Sequence, residues 1–232
     1  MHEVFAHQTA EAAELAAQAR RDFELATAPA GASAEFRPAW DDDAAPAPPA
    51  EPGDLFVVSH PRLRHQPDAL STERLLIGSG RPVLILPAAA NPDFDRPVLI
   101  GWNGSAAGRR AVEDALPLIR AAGSATILVV DEAASLDSAE DLATSLRERG
   151  VKADVRRTAS GSSTAAETIA ANAAELDAGL IVLGGYSRSP TLERIFGGVT
   201  RSFLSSAPRP LLLSHVPRHI ARGQTSAGEA AE

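Results

Sequence analysis

The stretch LIVLGGYSRSPTLERIFGGVTRSFLSSAPRPLLLSHV, residues 180–216, decides the fold of this chain. It begins with one short apolar run, residues 180–185, and ends with another, residues 209–216. Such runs are typical of strands that are buried on both faces. Between them, Val199 and Phe203 have the spacing of one face of a helix. A strand, a helix and a strand in this order predict parallel pairing through a right-handed crossover.

The same alternation is found upstream of this stretch. Apolar runs predict strands at residues 97–102 and 124–130, residues 151–158 are predicted as a third strand, and amphipathic segments between the strands predict helices. Gly123 is expected to end the first of these helices. Together with the two strands above, these elements predict a five-stranded, doubly wound parallel α/β sheet. Ligand chemistry is expected at the carboxyl ends of its central strands, where the strand order reverses.

An internal repeat precedes this sheet. Residues 53–60, GDLFVVSH, read like residues 178–185, AGLIVLGG. Residues 73–88 read like residues 201–216, and both segments carry an Arg-Pro pair before an apolar run. Chance similarity between apolar strands is the alternative, but the two pairs keep their order, which favours duplication. The sequence therefore predicts tandem copies of one fold, of which the first is incomplete.

Five elements are expected in the first copy: a helix through Leu15 and Phe23, a strand near Phe36, a strand at 54–59, a helix near 69–79 and a strand at 82–87. The tract DDDAAPAPPAEPG, residues 41–53, cannot build a helix because its prolines remove donors and block propagation. Counterparts of the second copy's opening strand, helix and strand are missing. Either the first copy depends on the second to cover it, or Met1 is not the true start.

The repeat predicts four regions: an incomplete domain at 1–90, a linker at 91–96, a complete domain at 97–217 and a disordered tail at 218–232. Within the chain, residues 82–86 are expected to pair antiparallel with residues 210–213. This pairing would shield strand edges that otherwise promote aggregation. A homodimer is a further expectation.

Composition limits the function. The 232 residues carry 22 Lys and Arg against 30 Asp and Glu, so a basic surface for nucleic acid or an anionic membrane is not expected. No apolar run approaches the roughly 18 residues of a spanning helix, and the amino terminus does not resemble a secretory signal. The chain contains no Cys, which excludes disulfides and thiolate metal sites. A cytoplasmic location is expected.

Glycines follow two of the predicted strands, within residues 101–105 and 184–200. A glycine at a strand end lets another group approach the main chain closely. Gly197 and Gly198 precede a helix whose free N–H groups and positive dipole end favour an anion. Arg188 can add a charge-assisted contact. Such a crevice suits a nucleotide, but the residues equally allow that the glycines serve turns and close packing of helix on sheet.

Other chemistries find little support in the sequence. The single lysine, Lys152, lies far from any glycine-rich turn, which excludes a GxxxxGK[ST] phosphate loop. The segment GWNGSAAG after the first strand also lacks the GxGxxG spacing of a dinucleotide site. Ser105 is interpreted as a helix N-cap, because no His or Asp is placed to activate it as a nucleophile. No metal site is expected from His215 and His219, since the first lies at a strand end.

Gly184 and Gly197 after the fourth strand, together with the closing helix and Arg-Pro-apolar strand, resemble the universal stress protein family. The resemblance spans about residues 96–217, and about residues 3–88 look like a shortened repeat of it. It implies an adenine nucleotide α-hydrolase-like fold with strand order 3-2-1-4-5, in a stress-response regulator. It also implies dimers or tandem pseudo-dimers that pair through the last strand of each domain.

By the same resemblance, ATP or another adenine nucleotide is the expected ligand of the second domain. The implied nucleotide-binding residues are Gly101, Trp102, Asn103, Gly104, Ser105, Val130, Gly184, Gly185, Tyr186, Arg188, Gly197, Gly198, Val199 and Thr200. Three positions depart from the family pattern: Ser187 replaces a glycine, Gly198 replaces Ser or Thr, and Asn103 replaces an acidic residue. Asn103 brings no charge to Mg²⁺, so hydrolysis is not expected. The alternative is a module of the same fold that binds no nucleotide and serves dimerisation or interaction.

Overall fold

A computed structural model describes residues 2–30, 33–36, 51, 53–59, 72–87, 92–131, 135–185 and 198–216. The chain divides into two compact units, Met1–Asp42 and Asp43–Glu232. Among the described residues, no helix is long and apolar enough to cross a membrane.

The first unit is built on one long helix, α1 (His2–Thr27), which continues into a single 3-10 turn at Ala28–Ala30. The predicted helix is therefore present, but residues 33–36 form no strand, so the strand expected near Phe36 is wrong. The ring of Phe36 instead packs on Phe23 with centroids 5.7 Å apart, and the guanidinium of Arg20 lies 5.0 Å from its centroid. Side-chain packing on α1, rather than a strand ladder, holds this segment.

The second unit alternates strands and helices. In chain order its elements are β1 (Phe56–Ser59), α2 (Thr72–Ser79), β2 (Val83–Leu86), β3 (Val98–Gly101), α3 (Ala106–Ala122), β4 (Ser124–Val130), α4 (Leu136–Glu148), β5 (Lys152–Thr158), α5 (Ala165–Glu175), β6 (Leu180–Gly184), α6 (Gly198–Ser205) and β7 (Leu211–Ser214). Gly123 ends α3 as expected, with a φ of 69° and its N–H donated to the carbonyl of Ile119 at 3.1 Å.

The strands form one seven-stranded sheet in the order β1-β2-β7-β6-β3-β4-β5. Strands β3 to β7 alone reproduce the predicted order 3-2-1-4-5, with parallel pairing throughout. The sheet is not limited to these five strands, because β2 adds to β7 in antiparallel register, with Leu84 opposite Leu212. Strand β1 then pairs in parallel with β2. The antiparallel contact expected between residues 82–86 and 210–213 is thus present, whereas their origin as two copies of one domain stays a prediction.

Alternate residues of the strands enter two cores on opposite faces of the sheet. On one face, Ile100, Ile127 and Val182 pack with α3 and α4. On the other face, Leu99 and Ile181 pack with α2, α5 and α6. Because the central strands are buried on both sides, they read in the sequence as continuous apolar runs.

Candidate functional site

The predicted site lies where the strand order reverses. Strand β3 pairs in parallel with β4 on one side and with β6 on the other. In this register Gly101 lies beside Leu128 of β4 and Leu183 of β6. The loops that follow β3, β4 and β6 therefore lie side by side at the carboxyl ends of the strands. This is the usual position for a ligand in this class of fold.

The loop after β3 is held by its own hydrogen bonds. The side-chain oxygen of Asn103 accepts the main-chain N–H of Ser105 at 3.2 Å, and Gly104 between them has a φ of 69°. The hydroxyl oxygen of Ser105 accepts the N–H of Gly108 at 3.1 Å, which confirms its predicted role as the N-cap of α3. A guanidinium N–H of Arg109 is donated to the carbonyl of Gly104 at 2.7 Å. The loop is thus ordered by local contacts.

Gly184 stands at a very close contact between sheet and helix. A β-carbon added there would lie 2.4 Å from the main-chain nitrogen of Gly108 and 2.6 Å from the carbonyl carbon of Ala107. The end of β6 therefore packs directly on the first turn of α3. For Gly184, close packing is sufficient to explain why the residue is glycine.

Two further glycines have different neighbours. A β-carbon on Gly101 would lie 2.3 Å from a methyl group of Leu183, which is a side-chain contact. Gly185 is buried, and its N–H is donated to the carbonyl of Ser214 at 2.7 Å, so it joins the end of β6 to β7. A β-carbon on Gly185 would lie 3.2 Å from Leu76 of α2.

Trp102 is part of the core. Its side chain is only 5% exposed and belongs to the cluster beneath α3 and α4. The indole Nε1–H is donated to the hydroxyl of Ser138 at 3.0 Å, and that hydroxyl is donated to the carbonyl of Ser135 at 3.0 Å. The indole thereby fixes the start of α4 to the end of β3.

The end of β4 carries a polar contact that the sequence reasoning missed. Val130 is half-buried, and the next residue, Asp131, has a φ of 58°, which is unusual for a residue other than glycine. Its carboxylate accepts the main-chain N–H of Ser160 at 2.9 Å and also the Ser160 hydroxyl. These hydrogen bonds lower the pKa of Asp131. A carboxylate directly after a buried strand was the signal available in the sequence.

The remaining predicted residues follow β6. Tyr186, Arg188 and Gly197 lie outside the described residues, as does Ser187. Gly198 opens α6 with nothing within 4 Å of an added β-carbon, Val199 is half-buried, and Thr200 is buried. The structure therefore brings together the ends of β3, β4 and β6, and it places the start of α6 on the face covered by α2 and α5.

Among the residues that the structure describes, no three His, Cys, Asp or Glu side chains are grouped as metal ligands would be. A separate hollow of about 250 Å³ lies at the opposite end of the sheet, at the amino ends of the strands. Two residues of its lining, Arg96 and Arg209, form ion pairs with Asp177, and Arg96 also pairs with Asp93 at 2.9 Å. The two Arg are balanced by the two Asp, so this hollow does not offer a net charge to an anion.

The sequence profile of the universal stress protein family matches residues 96–215, which is more than half of the chain. The chain belongs to the universal stress protein family. The matched residues contain β3 to β7, α3 to α6 and the whole candidate site. The family assignment inferred from Gly184, Gly197 and the closing strand is confirmed, while the tandem arrangement stays a prediction. No curated protein matches the sequence closely.

Two solved structures of universal stress proteins share the fold. One, from Pseudomonas aeruginosa, is 19% identical with a TM-score of 0.56, and the match covers 92% of this chain and 83% of the other. The other, from Archaeoglobus fulgidus, is 24% identical with a TM-score of 0.51. That match covers 62% of this chain and 54% of the other, so the chain spans about half of the length of the A. fulgidus protein.

Proposed function

We propose that this universal stress protein binds an adenine nucleotide, at most one per chain, and acts as a cytoplasmic regulator that responds to it. The proposed site is the crevice between the loop after β3 and the segment after β6. One observation carries the proposal: β3 and β6 are directly paired in parallel, with Gly101 beside Leu183 and Gly184 next along β6. Both glycine-bearing segments therefore start from the same level of the sheet, where phosphate and ribose can contact main-chain atoms.

The site favours binding without hydrolysis. Asn103, at the position of the family's acidic residue, is uncharged, and its oxygen accepts the N–H of Ser105. Asp131, the carboxylate at the end of β4, is hydrogen-bonded to Ser160. Mg²⁺ prefers carboxylate oxygens and needs several of them or water around it. These residues fit a protein that responds to nucleotide binding better than they fit an ATPase.

Isothermal titration calorimetry with ATP, ADP and AMP tests the proposal on the full chain. Saturable heat is expected for at least one nucleotide, and Gly197→Leu is expected to abolish it by filling the proposed phosphate-binding turn. The control is Ala121→Leu, which adds three of the same four carbon atoms at an exposed position at the end of α3 away from the site and leaves binding unchanged. No heat from folded wild-type protein at about 1 mM nucleotide would overturn the proposal.

A second candidate function is an interaction module that binds no nucleotide. The packing of Gly184 on Gly108 and the burial of Trp102 favour it, since both residues have a structural role without a ligand. On this hypothesis Gly197→Leu changes at most the thermal stability. Absence of nucleotide binding to the wild-type protein would support this function over the first.

A further inference from the structure

The start of β2 lies beside the end of β7. The two strands run antiparallel, with Val83 opposite Leu213. The same register sets Pro82 beside Ser214, and the parallel pairing of β7 with β6 sets Gly184 on the other side of Ser214. The residues before β2 are therefore brought to the carboxyl ends of the parallel strands, which is the end of the sheet that carries the proposed nucleotide site.

Ser214 carries a buried hydroxyl group that has no hydrogen-bond partner among the residues that the structure describes. The residue as a whole is 0% exposed. Its two neighbours in the sheet have no side-chain group to offer, because Gly184 has no side chain and the ring of Pro82 carries neither a donor nor an acceptor. Since burial of an unpaired hydroxyl is costly, a ligand that pairs with this hydroxyl is favoured.

A cationic side chain lies next to this hydroxyl. Arg81 directly precedes Pro82, and its main-chain N–H is donated to the hydroxyl oxygen of Ser79 at 3.1 Å, which fixes the turn between α2 and β2. The antiparallel register sets Arg81 opposite His215. Both residues are half-buried, and the Nε atom of Arg81 and the Nδ1 atom of His215 are themselves buried. We call the group formed by Arg81, Ser214 and His215 the β2–β7 corner.

The side chains of the β2–β7 corner favour an anion. Arg81 brings a positive charge, and hydroxyl and imidazole groups can both donate hydrogen bonds to oxygen. Asp54 also lies at this end of the sheet, because the N–H of Phe56 is donated to the carbonyl of Pro82, but Asp54 is exposed and solvent screens its charge. A buried water molecule could pair with the Ser214 hydroxyl. The guanidinium beside that hydroxyl makes an anion the better partner.

We propose that the β2–β7 corner binds a phosphate group, to which the Ser214 hydroxyl and the Arg81 guanidinium donate hydrogen bonds. A phosphate group fits because it offers several acceptor oxygens to donors from two strands about 5 Å apart. Arg81 lies outside the family match at residues 96–215, so the upstream part of the chain contributes to ligand binding. The phosphate is either free or part of a nucleotide held at the ends of β3 and β6. The proposal does not rest on nucleotide binding, because free phosphate alone satisfies it.

Thermal melts of the full chain with and without inorganic phosphate test the β2–β7 corner. In phosphate-free buffer, Ser214→Ala is expected to keep or slightly raise Tm, because it removes a buried hydroxyl that has no partner. With about 20 mM phosphate at constant ionic strength, the Tm of the wild type is expected to rise, and that of Ser214→Ala and Arg81→Gln is not. The control is Arg209→Gln, at the other Arg-Pro pair, which keeps the rise. A clearly lower Tm of Ser214→Ala in phosphate-free buffer would overturn the proposal.

Isothermal titration calorimetry identifies the source of the phosphate. Saturable heat with inorganic phosphate, at an affinity that Arg81→Gln lowers about tenfold or more, supports a site for free phosphate. No heat with inorganic phosphate, but an AMP affinity that falls about tenfold in Arg81→Gln and not in Arg209→Gln, supports the phosphate of a nucleotide. Nucleotide binding that Arg81→Gln leaves unchanged, with no response to inorganic phosphate, overturns this proposal and leaves the proposed function standing. No response to either ligand overturns both.

Discussion

Gly184→Ala is the sharpest test of how the sheet and α3 meet at the candidate site. The new β-carbon would lie 2.4 Å from the nitrogen of Gly108 and 2.6 Å from the carbonyl carbon of Ala107. Both neighbours are main-chain atoms in the first turn of a helix, so neither can rotate away. The substitution forces the end of β6 away from α3, and with it the two loops of the proposed crevice.

The expected cost follows from the nature of the clash. Overpacking of a well-packed region costs about 1–3 kcal/mol, which in a unit of this size lowers Tm by roughly 2–12 °C. Gly101→Ala is expected to cost less, because its β-carbon meets a methyl group of Leu183 at 2.3 Å, and that side chain can change rotamer. Gly198→Ala meets nothing within 4 Å and is expected to leave Tm unchanged or raise it slightly.

Differential scanning calorimetry of the three alanine variants gives the order directly. The expected order of Tm is Gly198→Ala highest, Gly101→Ala intermediate and Gly184→Ala lowest. Equal Tm values for the Gly184→Ala and Gly198→Ala proteins would refute the reasoning, because the contact between β6 and α3 would then be loose enough to accept a methyl group.

Three further predictions concern single contacts. Trp102→Phe removes the indole N–H donated to Ser138 and some buried volume. Urea unfolding should therefore show a loss of about 1–3 kcal/mol in the free energy of unfolding. An unchanged urea midpoint would contradict the structural role of Trp102. Thr164→Ala removes the capping box of α5, and a thermal melt should show a loss of about 1 kcal/mol, whereas no loss would mean that the cap is dispensable. Hydrogen bonds from Ser160 lower the pKa of Asp131 in the folded protein. The ionised carboxylate therefore stabilises the fold at a pH above the ordinary carboxyl pKa of about 3.9. This stabilisation is lost as the pH falls through the lowered pKa of the folded state. The difference in Tm between wild type and Asp131→Asn should therefore be constant near neutral pH and shrink below about pH 4, and a difference independent of pH would count against the contact.

Much of the second unit was predictable because its signals are local. Strand β4 has the predicted bounds, Ser124–Val130, since a strand buried on both faces is apolar along its whole length. Ser105 was identified as an N-cap because its hydroxyl bonds an N–H only a few residues away. The strand expected near Phe36 failed for the opposite reason. A strand needs a pairing partner, and propensity alone does not supply one.

The candidate site was predictable in part. The glycines after β3 and β6 were expected to lie at one end of the sheet, and the parallel pairing of these strands brings them together there, while the binding site itself stays a prediction. Trp102 was interpreted as a packing residue, but the sequence did not reveal that its indole N–H is donated to Ser138, or that Asp131 bonds Ser160. These contacts join residues that are far apart in the chain, and no periodic pattern encodes them.

The amino-acid sequence by itself determined the order of strands and helices, which follows from the apolar pattern, and the family, which follows from short motifs. The arrangement of the five strands in the matched region was implied by the resemblance to that family. Only the tertiary structure decided that β1 and β2 extend the same sheet to seven strands. It alone also showed that β5, with its charged side chains, and β1, with its exposed Val57, are the two edge strands of the sheet. Exposure depends on which segments lie beside a strand in space, and an apolar run looks the same in the sequence whether or not a neighbour covers it.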